Sequence, residues 1–129
     1  MKFKKGQTYP GAYIVEELGA DKNCEPYYAL HCGTQVLAFA VTHWQNPDAP
    51  REILVGLGEC REAYADHFIQ QKSVVPVFIQ ESPAAQGWCC AGYFKLDRAS
   101  DEVAEKNQRV NPFYIPAIYK ILYLQEVQE

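Results

Sequence analysis

The spacing of hydrophobic residues along the chain predicts one long helix and two short ones. The long helix spans residues 60–72, where apolar side chains recur every four positions and polar ones occupy the opposite face. Its predicted apolar stripe comprises Cys60, Tyr64, Ala65, Phe68 and Ile69. A short helix is predicted to end at Gly19, which suits a C-cap. A second short helix, more polar, is capped by Ser100 and ends at Asn111-Pro112.

Strands are predicted where apolar and β-branched residues run together. Their positions are residues 27–31, 35–42, 52–55, 74–79, 88–96 and 119–127. Residues 35–41 are almost continuously apolar, which is typical of a strand covered on both faces. Pro76 cannot donate a backbone hydrogen bond, so it indicates an edge strand or the first residue of pairing.

The order of these elements predicts an α+β fold. Strands that follow one another closely, with one main helix among them, favour a curled, mostly antiparallel sheet or a small β-barrel with short flanking helices. The 129 residues suit a single domain over 1–129. With 48% hydrophobic and 13% aromatic residues, the composition excludes a disordered chain.

Charge and cysteine content narrow the function classes. A net charge of −4 excludes a strongly basic nucleic-acid coat protein, although a local basic strip remains compatible with it. The five cysteines are odd in number and form no CxxC pair, which indicates reduced thiols. No apolar run follows the basic N-terminus and none reaches 18 residues. We therefore expect a cytoplasmic protein with no membrane partner.

The sequence contains no strong catalytic or metal-binding motif, so we expect no catalysis and no cofactor. Gly56-Leu57-Gly58 is best interpreted as a tight strand-to-helix turn, with a single-phosphate site at the following helix as the alternative. A zinc site or a Cys–His nucleophile pair remains a less favoured alternative, since no ligand spacing is present. The residues concerned are Cys24, His31, Cys32, His43, Cys89 and Cys90.

Two loop segments place aromatic rings beside short polar groups at predicted strand ends. This combination suits a flat, hydrogen-bonding ligand such as a nucleobase. The candidate base-binding residues are Tyr27, Tyr28, Trp44, Asn46 and Asp48. The structural alternative is that one tyrosine belongs to the core and that Trp44 covers the end of the sheet. Nearby cations could form a phosphate-facing strip, and the candidates are Lys4, Lys5, Lys22, Arg51 and Arg61.

Several segments resemble a known family. The strand and glycine turn over 53–58, the helix that follows, the strand over 74–79 and the segment from Trp88 to Phe94 resemble the second half of SRA-type domains of the PUA-like superfamily. The motifs Gly6-Gln7-Thr8-Tyr9 and Asn46-Pro47-Asp48-Ala49-Pro50 resemble SRA-like modules of bacterial restriction-type proteins, which are often attached to HNH nucleases. The resemblance extends to about residue 96.

This resemblance implies a non-catalytic reader of duplex DNA that flips a modified base into a pocket. The base would stack between Tyr and Trp side chains, with Asn46 and Asp48 bonding its edge, and Asp would accept from an exocyclic amine. Since no HNH nuclease is recognisable, a nuclease partner would act in trans. The alternative from a different class is a protein–protein adaptor using the same aromatic surface. A small thiol-dependent enzyme is a third, less favoured interpretation.

Overall fold

The computed structural model of this protein describes residues 2–21 and 28–128. One long and two short helices are interspersed among the strands in the order that the hydrophobic pattern predicts, except for the two-residue strand Thr8–Tyr9, which the pattern does not predict. The elements are β1 (Thr8–Tyr9), α1 (Gly11–Leu18), β2 (Ala29–Cys32), β3 (Gln35–Thr42), β4 (Glu52–Gly56), α2 (Glu59–Gln71), β5 (Val75–Gln80), β6 (Trp88–Ser100), α3 (Val103–Arg109) and β7 (Ile118–Glu126). None of the helices in these residues is long and apolar enough to cross a membrane.

The strands form one curled sheet in the order β2-β3-β5-β6-β7-β4, with β1 paired beside β6. The pairing of β3 with β5 is parallel, and the other five pairings are antiparallel. Register shifts interrupt the pairing of β6 with both neighbours, and such bulges bend a strand. The predicted α+β fold with a curled, mostly antiparallel sheet is confirmed, in the form of a half-barrel.

Both faces of the sheet are covered by apolar side chains. On one face, α2 packs against β3, and Phe68 meets Phe39 edge-on with ring centroids 4.8 Å apart. On the other face, α1 and the N-terminal segment cover Phe78, with Phe3 edge-on at 4.9 Å. Phe39 and Val41 of β3 belong to the first cluster, and Ala38 and Ala40 to the second. This double coverage explains the continuous apolar run in that strand.

Three details differ from the sequence predictions. Ser100 is the last residue of β6, and the N-cap of α3 is Glu102, whose N–H donates to the Ser100 hydroxyl at 3.3 Å. β5 lies centrally between β3 and β6, so Pro76 is not on an edge strand. Its pairing partner is Tyr93 of β6, whereas the pairing with β3 begins one residue later, at Val77. The proline therefore lies just before the residues of β5 whose backbone groups pair with β3, so its missing N–H costs no hydrogen bond to that strand. Cys60 is exposed in the first turn of α2, outside the buried stripe.

Strand β4 forms one edge of the sheet and positions the candidate site. Ile53 and Val55 point into the core and are fully buried. The alternation of a strand places Glu52, Leu54 and Gly56 on the opposite face. That face is flanked by the loop over 43–51 and by the loop over 110–117.

Candidate ligand-binding pockets

Three concavities lie along β4, one beyond its N-terminal end, over β6 and β7, and two on its outward face. The first, of about 920 Å³ and wide open, lies beside Arg51 and Glu52. The second, of about 180 Å³, lies between Glu52 and Leu54 and is called the Glu52 pocket. The third, of about 320 Å³, lies between Leu54 and Gly56 and is called the Gly56 pocket. Four strand steps of about 3.3 Å separate residues 52 and 56, so the series extends over about 13 Å of strand.

Two tyrosines line the Gly56 pocket. The Tyr28 ring packs against Phe39, with centroids 5.6 Å apart, and its hydroxyl donates to the main-chain carbonyl of Arg61 at 3.2 Å. Burial raises the pKa of Tyr28 well above its usual range, while the nearby Arg61 guanidinium acts in the opposite direction. The phenol is therefore neutral at physiological pH. Tyr114, from the loop over 110–117, lines the same pocket and is half-exposed.

Arg61 contributes the only cationic side chain among the described residues that line this pocket. It lies in the first turn of α2, directly after the turn that contains Gly56. A Cβ on Gly56 would be 3.1 Å from Nη1 of Arg61, so the missing side chain leaves room for the guanidinium. No carboxylate in residues 2–21 or 28–128 forms an ion pair with it. Glu62, one residue on, accepts instead from the Gly58 N–H.

The loop that carries Tyr114 is held by hydrogen bonds at both ends. The backbones of Asn111 and Ile115 pair in both directions, at 3.0 and 2.9 Å. The Asn111 side-chain oxygen accepts from the N–H groups of Phe113 and Tyr114. Gln45 then donates to the Tyr114 carbonyl at 3.0 Å, which ties this loop to the loop over 43–51. We call residues 111–115 the tip loop.

Asn46 has a structural role in this arrangement. It is 4% exposed, its side-chain oxygen accepts from the Leu54 N–H at 2.8 Å, and its amide nitrogen donates to the Thr42 carbonyl at 3.3 Å. The Leu54 N–H lies on the free edge of β4, so Asn46 satisfies an edge group that would otherwise lack a partner. Asn46 therefore shapes the pocket wall. Its side-chain oxygen, which we expected to bond a base, is engaged by the Leu54 N–H.

The other predicted base-binding residues are distributed over two sites. Trp44, half-buried, and Asp48, exposed, line the Glu52 pocket beside the ion pair of Arg109 with Glu52, at 2.6 Å. The Glu52 and Gly56 pockets adjoin and share Gln45, Leu54 and Ile115 as walls. The structure thus places Tyr28 apart from Trp44 and Asp48. Tyr27 lies outside the described residues.

The predicted phosphate-facing cations are divided as well. Lys5 and Arg51 border the largest concavity, but Lys5 is paired with Glu126 at 2.7 Å. Lys4 is exposed next to Lys5, whereas Arg61 lines the Gly56 pocket. Lys22 lies outside the described residues. The cations therefore occupy the two ends of the series of concavities and do not form one continuous strip.

Sequence reasoning missed Gln45 and Tyr114. The available signal was the run Asn111-Pro112-Phe113-Tyr114-Ile115-Pro116, in which two aromatic residues stand in a loop between prolines. We interpreted this segment only as the end of a helix. Its position beside Tyr28 depends on the pairing of β4 with β7, which a local pattern does not reveal.

The described residues contain no group of three His, Cys, Asp or Glu side chains that could hold a metal ion. Burial raises the pKa of the Cys90 thiol, which disfavours the reactive thiolate at that position. Cys24 lies outside the described residues. Comparisons of the chain with protein-family models, with curated proteins and with solved structures found no match.

Proposed function

We propose that this protein is a non-catalytic nucleic-acid reader that captures one extruded base of duplex DNA in the Gly56 pocket. The observation that carries this proposal is the convergence of Tyr28, Tyr114 and Arg61 on one concavity of about 320 Å³. Two aromatic rings and a cation without a carboxylate partner among the described residues suit a flat ligand attached to an anionic backbone.

The energetics of capture are favourable for such a pocket. Extruding a base costs a few kcal/mol, and stacking on aromatic side chains returns about 1–3 kcal/mol per base. Leu54 and Ile115, both buried, form an apolar wall that adds desolvated contact area. A modification or mismatch that weakens pairing lowers the cost of extrusion, so a modified base is the natural target. Cleavage, where it follows, would come from a nuclease in trans.

The flanking backbone would be held beyond the N-terminal end of β4. Arg51 is exposed beside the first concavity, five strand steps or about 16 Å from Gly56, and Lys4 is exposed in a neighbouring concavity that shares Lys5 with it. Phosphates of the strand that carries the extruded base lie within that reach. Two cations suffice to fix the register of a strand without carrying most of the affinity.

Fluorescence anisotropy tests this proposal. The probes are duplexes with unmodified, 5-methyl and 5-hydroxymethylcytosine, together with duplexes that carry one mismatch for each base. We expect at least one modified or mismatched probe to bind more tightly than the fully paired, unmodified duplex. Tyr114→Ala should weaken that binding at least about tenfold, because it removes a stacking ring.

The matched control is Phe113→Ala. Phe113 neighbours Tyr114 and is 90% exposed, but it does not line the pocket. Phe113→Ala should therefore leave the affinity within about twofold of wild type if stacking within the pocket determines binding. Absence of binding to every duplex at 50 mM salt would contradict the proposal.

One observation favours the adaptor function as a second candidate. Phe113 and Tyr114 are neighbouring large apolar residues of the tip loop that remain 90% and 48% exposed. Exposed apolar side chains near one another mark protein-binding surfaces when they form a patch. An adaptor would lose its partner in Phe113→Ala and would show no salt-dependent binding of oligonucleotides. The same pair of variants therefore separates the two functions.

A further inference from the structure

We infer that the Gly56 pocket selects guanine, with the Arg61 guanidinium donating to O6 and N7 of the captured base. This inference rests on the proposed function and names its ligand. It assigns Arg61 to the base, whereas the sequence analysis had named Arg61 as a phosphate-binding candidate.

The first argument is that the described lining of the pocket holds no carboxylate and that its amide oxygens are already engaged. No Asp or Glu is among the described residues that line it. The side-chain oxygen of Gln45 accepts from the Thr42 hydroxyl at 3.2 Å, and that of Asn46 accepts from the Leu54 N–H. On the edge that faces Arg61, adenine and cytosine carry an exocyclic amine, which would meet a donor there and find no carboxylate, whereas the guanine amine lies on the opposite edge of that base.

The second argument is the position of the donor. Arg61 is anchored in the first turn of α2, and the bare backbone of Gly56 lets its guanidinium lie across the strand into the pocket. A guanidinium presents N–H groups in a planar fork. Guanine offers two neighbouring acceptors, O6 and N7, that match this fork, whereas thymine offers one carbonyl on that edge and adenine a donor beside N7.

The carboxylates that could accept a hydrogen bond from the amine of adenine or cytosine lie in the adjoining Glu52 pocket. Asp48 and Glu52 line the Glu52 pocket, on the far side of Gln45. Glu52 is engaged by Arg109, and Asp66 of α2 is engaged by Lys120 and Tyr119. A base with an amine on its major-groove edge, adenine or cytosine, thus finds carboxylate acceptors only outside the Gly56 pocket. The expectation that Asp48 would read an exocyclic amine does not apply to this pocket.

The test uses duplexes in which one base stands opposite an abasic site, so that no probe pays for unpairing the target. The target is guanine, hypoxanthine, 7-deazaguanine or adenine. Hypoxanthine keeps both O6 and N7, 7-deazaguanine lacks N7, and adenine replaces O6 by a donor. We expect guanine and hypoxanthine to bind about tenfold or more tightly than the other two.

Arg61→Lys keeps the charge but loses the fork, so it should abolish the ranking of the four probes. Arg51→Lys is the matched control and should keep it. Equal binding of all four probes by the wild type, with little change in Arg61→Lys, would make Arg61 a phosphate contact and overturn the inference while leaving the reader intact. Binding to none of the probes would overturn the proposed function itself. Thermal unfolding of each variant confirms that it is folded.

Discussion

At the scale of single residues, Asn46 shows how a polar side chain can serve the fold beside a pocket. Its amide oxygen takes the place of a neighbouring strand by accepting from the Leu54 N–H on the free edge of β4, and its amide nitrogen donates to the Thr42 carbonyl at the end of β3. A loop that is closed by such a side chain also hides the edge from other chains. The rigidity of the pocket wall and the protection of the sheet therefore depend on the same two hydrogen bonds.

Asn46→Ala should lower the free energy of unfolding by about 1–3 kcal/mol, because a buried backbone N–H loses its acceptor. Urea denaturation measures this change, and Asn107→Ala, on the exposed side of α3, is the control. If Asn46→Ala left stability unchanged and abolished only oligonucleotide binding, Asn46 would instead contact the ligand directly.

A second residue cluster attaches α3 to the sheet and should respond to acid. Glu105 accepts hydrogen bonds from Tyr123 and Ser100, and the Arg98 guanidinium lies 3.9 Å above the Tyr123 ring. The hydrogen bond from Tyr123, helped by Ser100 and Arg98, lowers the pKa of Glu105 below its ordinary value of 4.5. A carboxyl with a lowered pKa binds fewer protons in the folded state than in the unfolded state.

This contribution is therefore complete above about pH 4.5 and is lost as the pH falls below that value. Glu105→Gln should make the fall of Tm below pH 4.5 shallower, while Glu81→Gln, an exposed carboxylate in a turn, controls for the loss of one charge. Thermal unfolding followed by circular dichroism between pH 3 and 7 measures both. Parallel curves for Glu105→Gln and wild type would contradict this assignment.

At the scale of elements, the bend of β6 makes the sheet curl. Gly92 has φ +123° next to the register shift between Val77 and Phe78, and a Cβ there would be 2.9 Å from Glu126. Gly92→Ala should destabilise the fold by about 1–3 kcal/mol because alanine rarely adopts that backbone conformation. Lys95→Ala, exposed on the same strand, is the control. Equal urea midpoints for the two variants would show that the bend tolerates a side chain.

The tip loop is the second element on which the site depends. The Asn111 side chain fixes the backbone that presents Tyr114, so Asn111→Ala should loosen the loop without opening the core. We expect faster amide exchange at residues 113–114 and roughly fivefold weaker oligonucleotide binding, since one hydrogen bond contributes about 1 kcal/mol. An unchanged affinity would mean that Tyr114 needs no fixed backbone to contribute.

At the scale of the whole molecule, the sequence predicted the elements better than their arrangement. The apolar run of β3 and the spacing of α2 identified those elements because burial dictates their pattern directly. Of the two alternatives for Pro76, the edge strand is wrong because β5 is central, while its pairing with β3 does start directly after the proline. The sequence identified Tyr28 and Arg61 as candidate binding residues. Their convergence with Tyr114 arises from the pairing of β4 and β7, which are more than sixty residues apart in the sequence.

The net charge of −4 makes a quantitative prediction for the whole molecule. Binding that is dominated by the backbone uses six to ten phosphate contacts and loses about 10³–10⁵ in affinity between 50 and 200 mM salt. Arg61 is assigned to the base, so the cations left for phosphates are Arg51 at the first concavity and Lys4 beside Lys5, and about two contacts are expected. Two contacts give a slope of about −1.8 for log K against log salt concentration, or about a tenfold loss over that range.

Anisotropy titrations at four salt concentrations measure this slope, and the double variant Lys4→Gln/Arg51→Gln should bring it close to zero while keeping the order of preferred bases. The reason is that the pocket and the backbone contacts lie at opposite ends of β4 and act separately. A slope as steep as about −6 would mean that phosphates dominate binding and that the pocket contributes little. Base selectivity that survives the loss of both cations, as we expect, would locate base recognition in the Gly56 pocket itself.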